Sequence, residues 1–294
     1  MRIYTLIIAA VAGLLSFSGK AQILAPPEGM QFTRAPKFNP TFVTENGILE
    51  IRAVMETKKD GDKIRKTHRN LVYQFDEEGR SSLLADIHTK RRDTSITAFQ
   101  FAGRRLQCEV KSDPAGLFSY CYVYGDDGLP TERKYARVQR WRNLTKPDFS
   151  GKDTKVATEN YTHARYENQL HTTLNNSAWR PYQKEIRYYD ENGYLLKYLR
   201  TFVMTSERHE EVYSYEAYGR VKSVEVTAGR NPGRIEFTYD EVGNLLTEER
   251  FENEALVYHK EFVYEGADML LRAELTRREA DEMLEITTYT YTFR

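Results

Sequence analysis

Aromatic and polar residues alternate through most of the chain, and short glycine-containing turns interrupt the alternation at a regular interval. Residues 288–293 read Thr-Tyr-Thr-Tyr-Thr-Phe, a strict period of two that predicts a β-strand. The pairs Tyr73/Phe75 and Tyr213/Tyr215 would lie on one face of such strands, because successive side chains point to opposite faces. The pattern predicts an all-β protein whose core is a single aromatic face.

The turns share a motif in which an aromatic residue is followed by an acid, two free positions and a glycine. Close copies occupy residues 73–79, 188–193, 213–219 and 237–243. With the looser copies, the motif recurs at positions 43, 75, 99, 124, 166, 189, 215, 239 and 264. The period is near 24 residues, with one early insertion and a larger one in the middle. Such self-similarity is typical of repeat architectures.

The chemistry of the motif is that of a hairpin turn. Aspartate at the first turn position and glycine three residues later favour a type I turn with a left-handed glycine bulge. We therefore interpret Asp76, Asp190 and Asp240 as acceptors for turn backbone N–H groups rather than as catalytic carboxylates. A second turn closes each unit at its other end, so each period holds two strands of about ten residues.

About eighteen strands follow from this repeat, a sheet too wide to stay flat because strands twist. We expect antiparallel up-and-down β-hairpin repeats that form a long twisted, curled or spiralling sheet. Whether the sheet stays open or closes into a barrel is not decided by the pattern.

The motif resembles a known repeat family. Residues 239–245 read Tyr-Asp-Glu-Val-Gly-Asn-Leu, which is similar to the YD or RHS repeat. The resemblance implies a spiral of hairpins, which in large members becomes a hollow shell that encloses a toxin or presents an adhesive surface. This chain is too short for such a shell and shows neither a toxin segment nor an autocleavage motif. The resemblance therefore implies the hairpin spiral more firmly than either role.

The N-terminus predicts export. Arg2 precedes an apolar run over residues 6–15, which is too short to span a bilayer. Gly19 and Ala21 are the small residues that signal cleavage requires, so residues 1–21 are predicted to be a signal peptide. The alternative is a short membrane anchor. No cysteine lies near the cleavage point, so a lipoprotein is not expected.

The remaining chain divides into a linker over residues 22–39 and a repeat domain over 40–294, with an insertion near 142–156. No later stretch has the apolar length of a membrane helix. The mature protein is expected to be periplasmic, outer-membrane-associated or extracellular.

The two cysteines support this compartment. Cys108 and Cys121 flank an Asp-Pro-Ala-Gly turn at residues 113–116, which predicts that they lie opposite each other on paired strands. A bulge at Gly116 would make them diagonal instead. In an oxidising compartment they are predicted to form a disulfide; the alternative is two buried thiols.

The charge balance and the motif inventory restrict the function. Lys+Arg and Asp+Glu both number 43, and this neutrality argues against binding to nucleic acid or anionic membranes. No catalytic motif is present, and no cofactor or metal is expected. His163 and His171 flank a turn and could face each other, but surface histidines are the simpler interpretation. The chain is predicted not to be an enzyme.

Three functions remain open. The first is a non-catalytic binding or structural module of the bacterial envelope or surface, whose partner is a protein or glycan; Trp141 and Phe149 in the insertion form its hypothetical binding loop. The second is glycan binding by the aromatic sheet face. The third is an outer-membrane barrel. Residues 272–278 argue against it, because they place charges on both faces of a predicted strand, whereas a membrane barrel needs an apolar outer face.

Overall fold

The computed structural model describes residues 22–25, 38–113, 116–139, 153–229, 232–266, 269–280 and 282–294. Within them lie one short helix, α1 (Pro40–Glu45), and eighteen strands. The strands are β1 (Ile48–Lys59), β2 (Arg65–Phe75), β3 (Ser81–His88), β4 (Asp93–Ala102), β5 (Arg105–Asp113), β6 (Gly116–Tyr124), β7 (Pro130–Val138), β8 (Thr154–Tyr166), β9 (Gln169–Asn175), β10 (Pro181–Tyr189), β11 (Leu195–Phe202), β12 (Arg208–Tyr215), β13 (Val221–Ala228), β14 (Gly233–Tyr239), β15 (Leu245–Glu252), β16 (Ala255–Glu265), β17 (Leu270–Arg278) and β18 (Met283–Phe293).

The strands form a closed antiparallel ring. Each strand pairs with its neighbours in sequence, and β18 returns to pair with β1 from Lys59 opposite Met283 to Ile48 opposite Phe293. The fold is therefore an up-and-down β-barrel. Eighteen strands spaced ~4.8 Å apart and tilted by ~40° give the closed sheet a perimeter of about 110 Å between backbones.

The prediction of a twisted, curled or spiralling open sheet is wrong. The eighteen strands and their hairpin connections are as predicted, but the two edge strands of the sheet pair with each other. Pairing satisfies backbone N–H and C=O groups that an open sheet would expose along both edges. The strand twist that suggested a spiral is used instead to bring β1 and β18 together.

The aspartate–glycine turns all lie at one end of the barrel, which we call the turn end; it carries residues 76–79, 190–193 and 240–243. Asp76 Oδ1 accepts the backbone N–H groups two and four residues later, at 3.0 and 2.9 Å. Asp190 Oδ1 does the same at 2.9 and 2.8 Å. The glycines adopt positive φ, +75° at Gly79 and +86° at Gly193. These aspartates are bound within their turns.

The predicted aromatic face lines the inside of the barrel. Tyr73, Tyr122, Tyr213 and Phe262 are buried on it. The residues between the aromatics of each pair face outward and are more exposed: Gln74, Val123, Ser214, Thr238 and Val263.

Tyrosine hydroxyls join neighbouring strands near the turn end. Each donates to a backbone carbonyl near the start of the preceding strand, at 2.5 to 2.8 Å. The five donor–acceptor pairs are Tyr124 to Leu106, Tyr215 to Leu195, Tyr239 to Val221, Tyr264 to Leu245 and Tyr291 to Leu271. These bonds give the hydroxyl a structural role at four of the repeat positions and at Tyr291, whereas Phe75 and Phe99 occupy other repeat positions without a hydroxyl.

The N-terminal segment, by which we mean residues 22–25 and 38–45, packs into the turn end. Ile23, Leu24 and Phe38 are buried, although they lie in the stretch that the sequence suggested as a linker. The Phe38 ring packs edge-on against the Tyr73 ring, at 4.9 Å between centroids. The backbones of Leu24 and Phe38 form an isolated antiparallel β-bridge. Side-chain oxygen Oδ1 of Asn39 accepts from the N–H of a residue in the first turn of α1, as an N-cap does. No helix among the described residues is long and apolar enough to cross a membrane.

This segment touches two turns that are six strands apart on the ring. A Cβ at Gly79, after β2, would overlap the carbonyl oxygen of Pro40. A Cβ at Gly243, after β14, would overlap the side-chain amide of Gln22. The described residues of the segment therefore reach from the turn after β14 to the turn after β2 at the turn end.

The predicted disulfide is confirmed. Cys108 and Cys121 lie directly opposite each other on β5 and β6 and are bonded, with no diagonal offset at Gly116. They sit on the outer face beside a buried apolar cluster on β3 to β7. The cluster comprises Leu83, Ala85, Ile96, Ala98, Val110, Leu117 and Val138. The hypothetical binding loop with Trp141 and Phe149 lies outside the described residues.

Candidate functional site in the barrel lumen

The inner face is not a continuous apolar core, because glutamates alternate with the aromatics. Glu159 on β8 binds Arg133 on β7 at 2.6 Å and accepts the hydroxyl of Tyr161 at 3.2 Å. Glu211 on β12 accepts the hydroxyl of Tyr213. On each strand the glutamate and tyrosine are two residues apart, so both side chains point into the lumen.

The most buried ionic group of the lumen is centred on Glu185 of β10. Its Oε2 binds Arg187 Nη2 at 2.9 Å, and both side chains are 6% exposed. Its Oε1 accepts from Gln183 Nε2 at 2.6 Å. The Arg187 guanidinium lies 5.3 Å from the ring centre of Tyr198 on β11. A buried ion pair is tolerated only when further hydrogen bonds satisfy its atoms, and both carboxylate oxygens of Glu185 have such bonds.

A second inner group lies two strands away. His209 Nε2 and Glu211 Oε1 are 2.7 Å apart, and the other oxygen of Glu211 accepts from Tyr213. Burial raises the pKa of Tyr213 above its ordinary value, and the hydrogen bond to Glu211 raises the pKa further. Tyr213 therefore remains a protonated donor at neutral pH.

The lumen opens into a cavity of about 840 Å³ at the end opposite the turn end, which we call the far end. Small-molecule sites are commonly ~300–1,000 Å³. Its wall includes aromatic, basic, acidic and aliphatic side chains from β10 to β15 and the loop after β11: Tyr182, Arg200, Phe202, Glu207, His209, Glu211, Val226 and Arg250. We call this cavity the vestibule.

Arg200 is the basic residue of the vestibule that has a buried hydrogen-bond donor without an acceptor. Its Nε is buried and has no hydrogen-bond partner within the described part of the chain. Its guanidinium carbon lies 5.4 Å from the ring centre of Phe202. Arg250, in contrast, is paired with Glu252 at 3.0 Å.

The two histidines considered as metal ligands do not face each other. His163 pairs with Thr172, and Ala164 pairs with His171, so the two rings lie on opposite faces of the sheet. His163 Nδ1 contacts Thr172 Oγ1 at 3.0 Å inside the barrel. Among the described residues, no three histidines, cysteines or acids are arranged to hold a metal ion.

The sequence interpretation missed the lumenal ionic groups. A usable signal was present, since Glu159-x-Tyr161, Glu185-x-Arg187 and Glu211-x-Tyr213 repeat the same spacing of two. This spacing places a carboxylate and its partner on one strand face.

The outer face is uneven. On β14 to β16 it is charged: Glu236 lies opposite Glu249, and His259 binds Glu249 at 2.8 Å and Glu261 at 3.0 Å. On β3 to β7 it carries the buried apolar cluster beside the disulfide. The outer face therefore has a charged sector on β14 to β16 and, separated from it on the ring, buried apolar side chains on β3 to β7.

No protein-family model matches the chain, and no curated protein matches it. Solved structures with similar features include a porin-like protein from Bacteroides uniformis, at 11% identity and a TM-score of 0.38, covering 83% of this chain and 98% of that one. A porin-like protein from Bacteroides vulgatus is 10% identical, with a TM-score of 0.35 and coverage of 83% and 98%. The TcdB2-TccC3 structure is 11% identical, with a TM-score of 0.29, and covers 76% of this chain and 16% of that one. None of these similarities assigns the chain to a family.

Proposed function

We propose that the chain is an exported β-barrel of the cell envelope that binds a polar solute in its lumen and catalyses no reaction. The observation that carries this proposal is the charged inner face, which opens into the vestibule at the far end. Barrels of 16 to 18 strands are wide enough to hold water inside, and polar inner faces are typical of water-filled ones.

The N-terminal segment favours a receptacle over an open pore. Its described residues fill part of the turn end with apolar side chains, and Pro40 and Gln22 contact turns six strands apart. The vestibule lies at the opposite end, beside the loop that follows β11. A solute would therefore enter at the far end and meet the ionic groups of Glu211 and Glu185 below it.

An outer-membrane channel is the second candidate. The closed antiparallel ring favours it. A membrane barrel needs an apolar band around its whole circumference, and a charged side chain on the lipid face is destabilising, by about 2–4 kcal/mol for a basic residue at the midplane and by less for an acidic one. The charges on the outer face of β14 to β16, among them Glu236 and Glu249, interrupt such a band. This sector gives the receptacle the stronger support.

Two measurements separate these candidates. Cells expressing the full chain are fractionated, and the purified protein is added to planar lipid bilayers. The receptacle predicts release in aqueous extract without detergent and no conductance steps. Retention in the detergent fraction with stepwise conductance would instead support the channel.

Lumenal binding is tested with a matched pair of substitutions. Val226→Trp fills the vestibule, whereas Val263→Trp places the same bulk on the outer face, where Val263 is 38% exposed. A solute that raises the melting temperature of the wild type by binding the folded state should still do so for Val263→Trp and not for Val226→Trp. Equal shifts in the two variants, or no shift from a panel of anionic, cationic and sugar solutes, would refute lumenal binding.

A further inference from the structure

We propose that the vestibule binds an anionic group carried on an aromatic ring, with Arg200 as the anchor of the anion. This inference rests on the proposed lumenal binding and names the class of solute. It follows from which donors and acceptors around Arg200 are already engaged.

On the inner face Arg200 lies between Glu185 of β10 and His209 of β12, and its Nε–H has no acceptor in the described part of the chain. Glu185 is its direct partner across β10 and β11, but both oxygens of Glu185 are bonded to Gln183 and Arg187. On the other side, Arg200 lies opposite His209 of β12. Gln183 and Arg187 thus engage Glu185, and the buried Nε–H of Arg200 is left without an acceptor in the described residues.

Glu211, the acid nearest to His209, is also committed. One of its oxygens is bonded to His209 and the other to Tyr213. Arg250, across the vestibule, is held by Glu252. Arg200 is therefore the inner arginine of the vestibule whose buried Nε has no acceptor in the described part of the chain.

A buried donor without an acceptor is costly, by ~1–3 kcal/mol for a neutral group and more for a charged one. A guanidinium presents Nε–H and a terminal N–H side by side, a geometry that matches the two oxygens of a carboxylate or a phosphate. An anion at this position would supply the acceptor that Glu185 and Glu211 cannot.

The remaining wall indicates what carries the anion. Tyr182 and Phe202 are aromatic, and Val226 and Ile235 are aliphatic. The Phe202 ring already lies beside the Arg200 guanidinium, so a ligand ring would contact apolar surface while its anionic group meets Arg200. Aromatic rings pair favourably when offset or edge-on.

Two fluorescent probes that differ in charge test the inference: 2-naphthoate, and the neutral 2-naphthalenemethanol. Equilibrium dialysis measures their binding to the full chain. We expect wild type to prefer naphthoate, and Arg200→Gln to weaken naphthoate at least ~10-fold, the value of one charge-assisted hydrogen bond. The same variant should change naphthalenemethanol binding by less than about 3-fold, since that probe makes no such bond. Excess inorganic phosphate should compete with naphthoate.

Arg52→Gln is the matched control, because Arg52 is on the outer face with a side chain 64% exposed. It should bind both probes as wild type does. Arg200→Lys, which keeps the charge and loses the fork of donors, should restore part of the naphthoate affinity, and circular dichroism checks that each variant is folded.

Equal binding of the two probes to wild type, or unchanged naphthoate binding by Arg200→Gln, would overturn the inference. If naphthalenemethanol alone binds and Val226→Trp blocks it, the anion site fails while lumenal binding stands. If neither probe binds and the solute panel also fails, both proposals fail.

Discussion

The tyrosine hydroxyl bonds near the turn end give a direct test of how the barrel is held together. In Tyr239→Phe the ring stays, and so does the Arg220 guanidinium 4.7 Å from its centre. Only the hydroxyl is lost, with its 2.7 Å bond to the carbonyl of Val221. A typical intramolecular hydrogen bond contributes ~0.5–1.5 kcal/mol, so we expect the free energy of unfolding to fall by about 1 kcal/mol.

Tyr218→Phe is the matched control. Tyr218 also lies beside Arg220, at 5.4 Å from its ring centre, but is 85% exposed. Loss of a solvated hydroxyl should change stability by less than ~0.5 kcal/mol. Urea denaturation followed by circular dichroism gives both values, and an unchanged slope would show that compactness is preserved. Equal losses in the two variants would refute the proposed role of the hydroxyl bonds.

The same bond predicts an alkaline transition. Burial raises the pKa of Tyr239 to about 12, although Arg220 opposes the shift. Because the folded pKa lies above the ordinary value of ~10, the contribution of Tyr239 is complete below pH 10. It is lost as the pH rises through about 12. The stability difference between wild type and Tyr239→Phe should therefore be constant up to pH 10 and shrink above it.

Three further predictions concern the turn end, the disulfide and the outer face. Gly79→Ala and Gly193→Ala both place a side chain at positive φ, but only at Gly79 does the new Cβ meet the N-terminal segment. Gly79→Ala should therefore lose more stability than Gly193→Ala and should expose the N-terminal segment to limited proteolysis. Equal losses of stability in the two variants would contradict the packing described. Replacing Cys108 and Cys121 by serine should lower the free energy of unfolding by about 3 kcal/mol, as for a closed loop of this size, and a loss under ~1 kcal/mol in urea titration would contradict it. Burial alone would lower the pKa of His259, but its bonds to two glutamates raise the pKa overall. The stabilisation from these pairs is therefore complete below pH ~6.5 and is lost as the pH rises through the raised pKa. His259→Asn should cost more stability at pH 5.5 than at pH 8.5, and equal costs would refute the pairing.

Local features of the fold could be predicted because their causes are local. Asp76 and Gly79 determine a turn within five residues, and the alternation around Tyr213 determines which side chains share a face. Closure could not be predicted in the same way. Ile48 and Phe293 are paired from opposite ends of the chain, and that pairing depends on the twist accumulated over eighteen strands.

The lumenal groups were missed for a different reason. Glu185 and Arg187 alternate with their neighbours as solvent-facing strand charges would, and a period of two does not distinguish water outside a sheet from a polar lumen inside it. Ile23 and Phe38 were overlooked because the segment between them has no strand or helix period, although both are core residues.

The distribution of bonds along the barrel axis connects the repeat to the candidate site. The aspartate turns and the tyrosine hydroxyl bonds act near the turn end, where the N-terminal segment adds an apolar core. Strands fixed at one end do not need an apolar lumen at the other, so inner positions there can carry Glu185, Arg200 and Glu211. The repeated bonds at the turn end thus permit charged side chains on the inner face near the vestibule. Substitutions that remove one of these tyrosine hydroxyls should therefore lower stability without changing probe affinity. Arg200→Gln should weaken naphthoate binding without lowering stability.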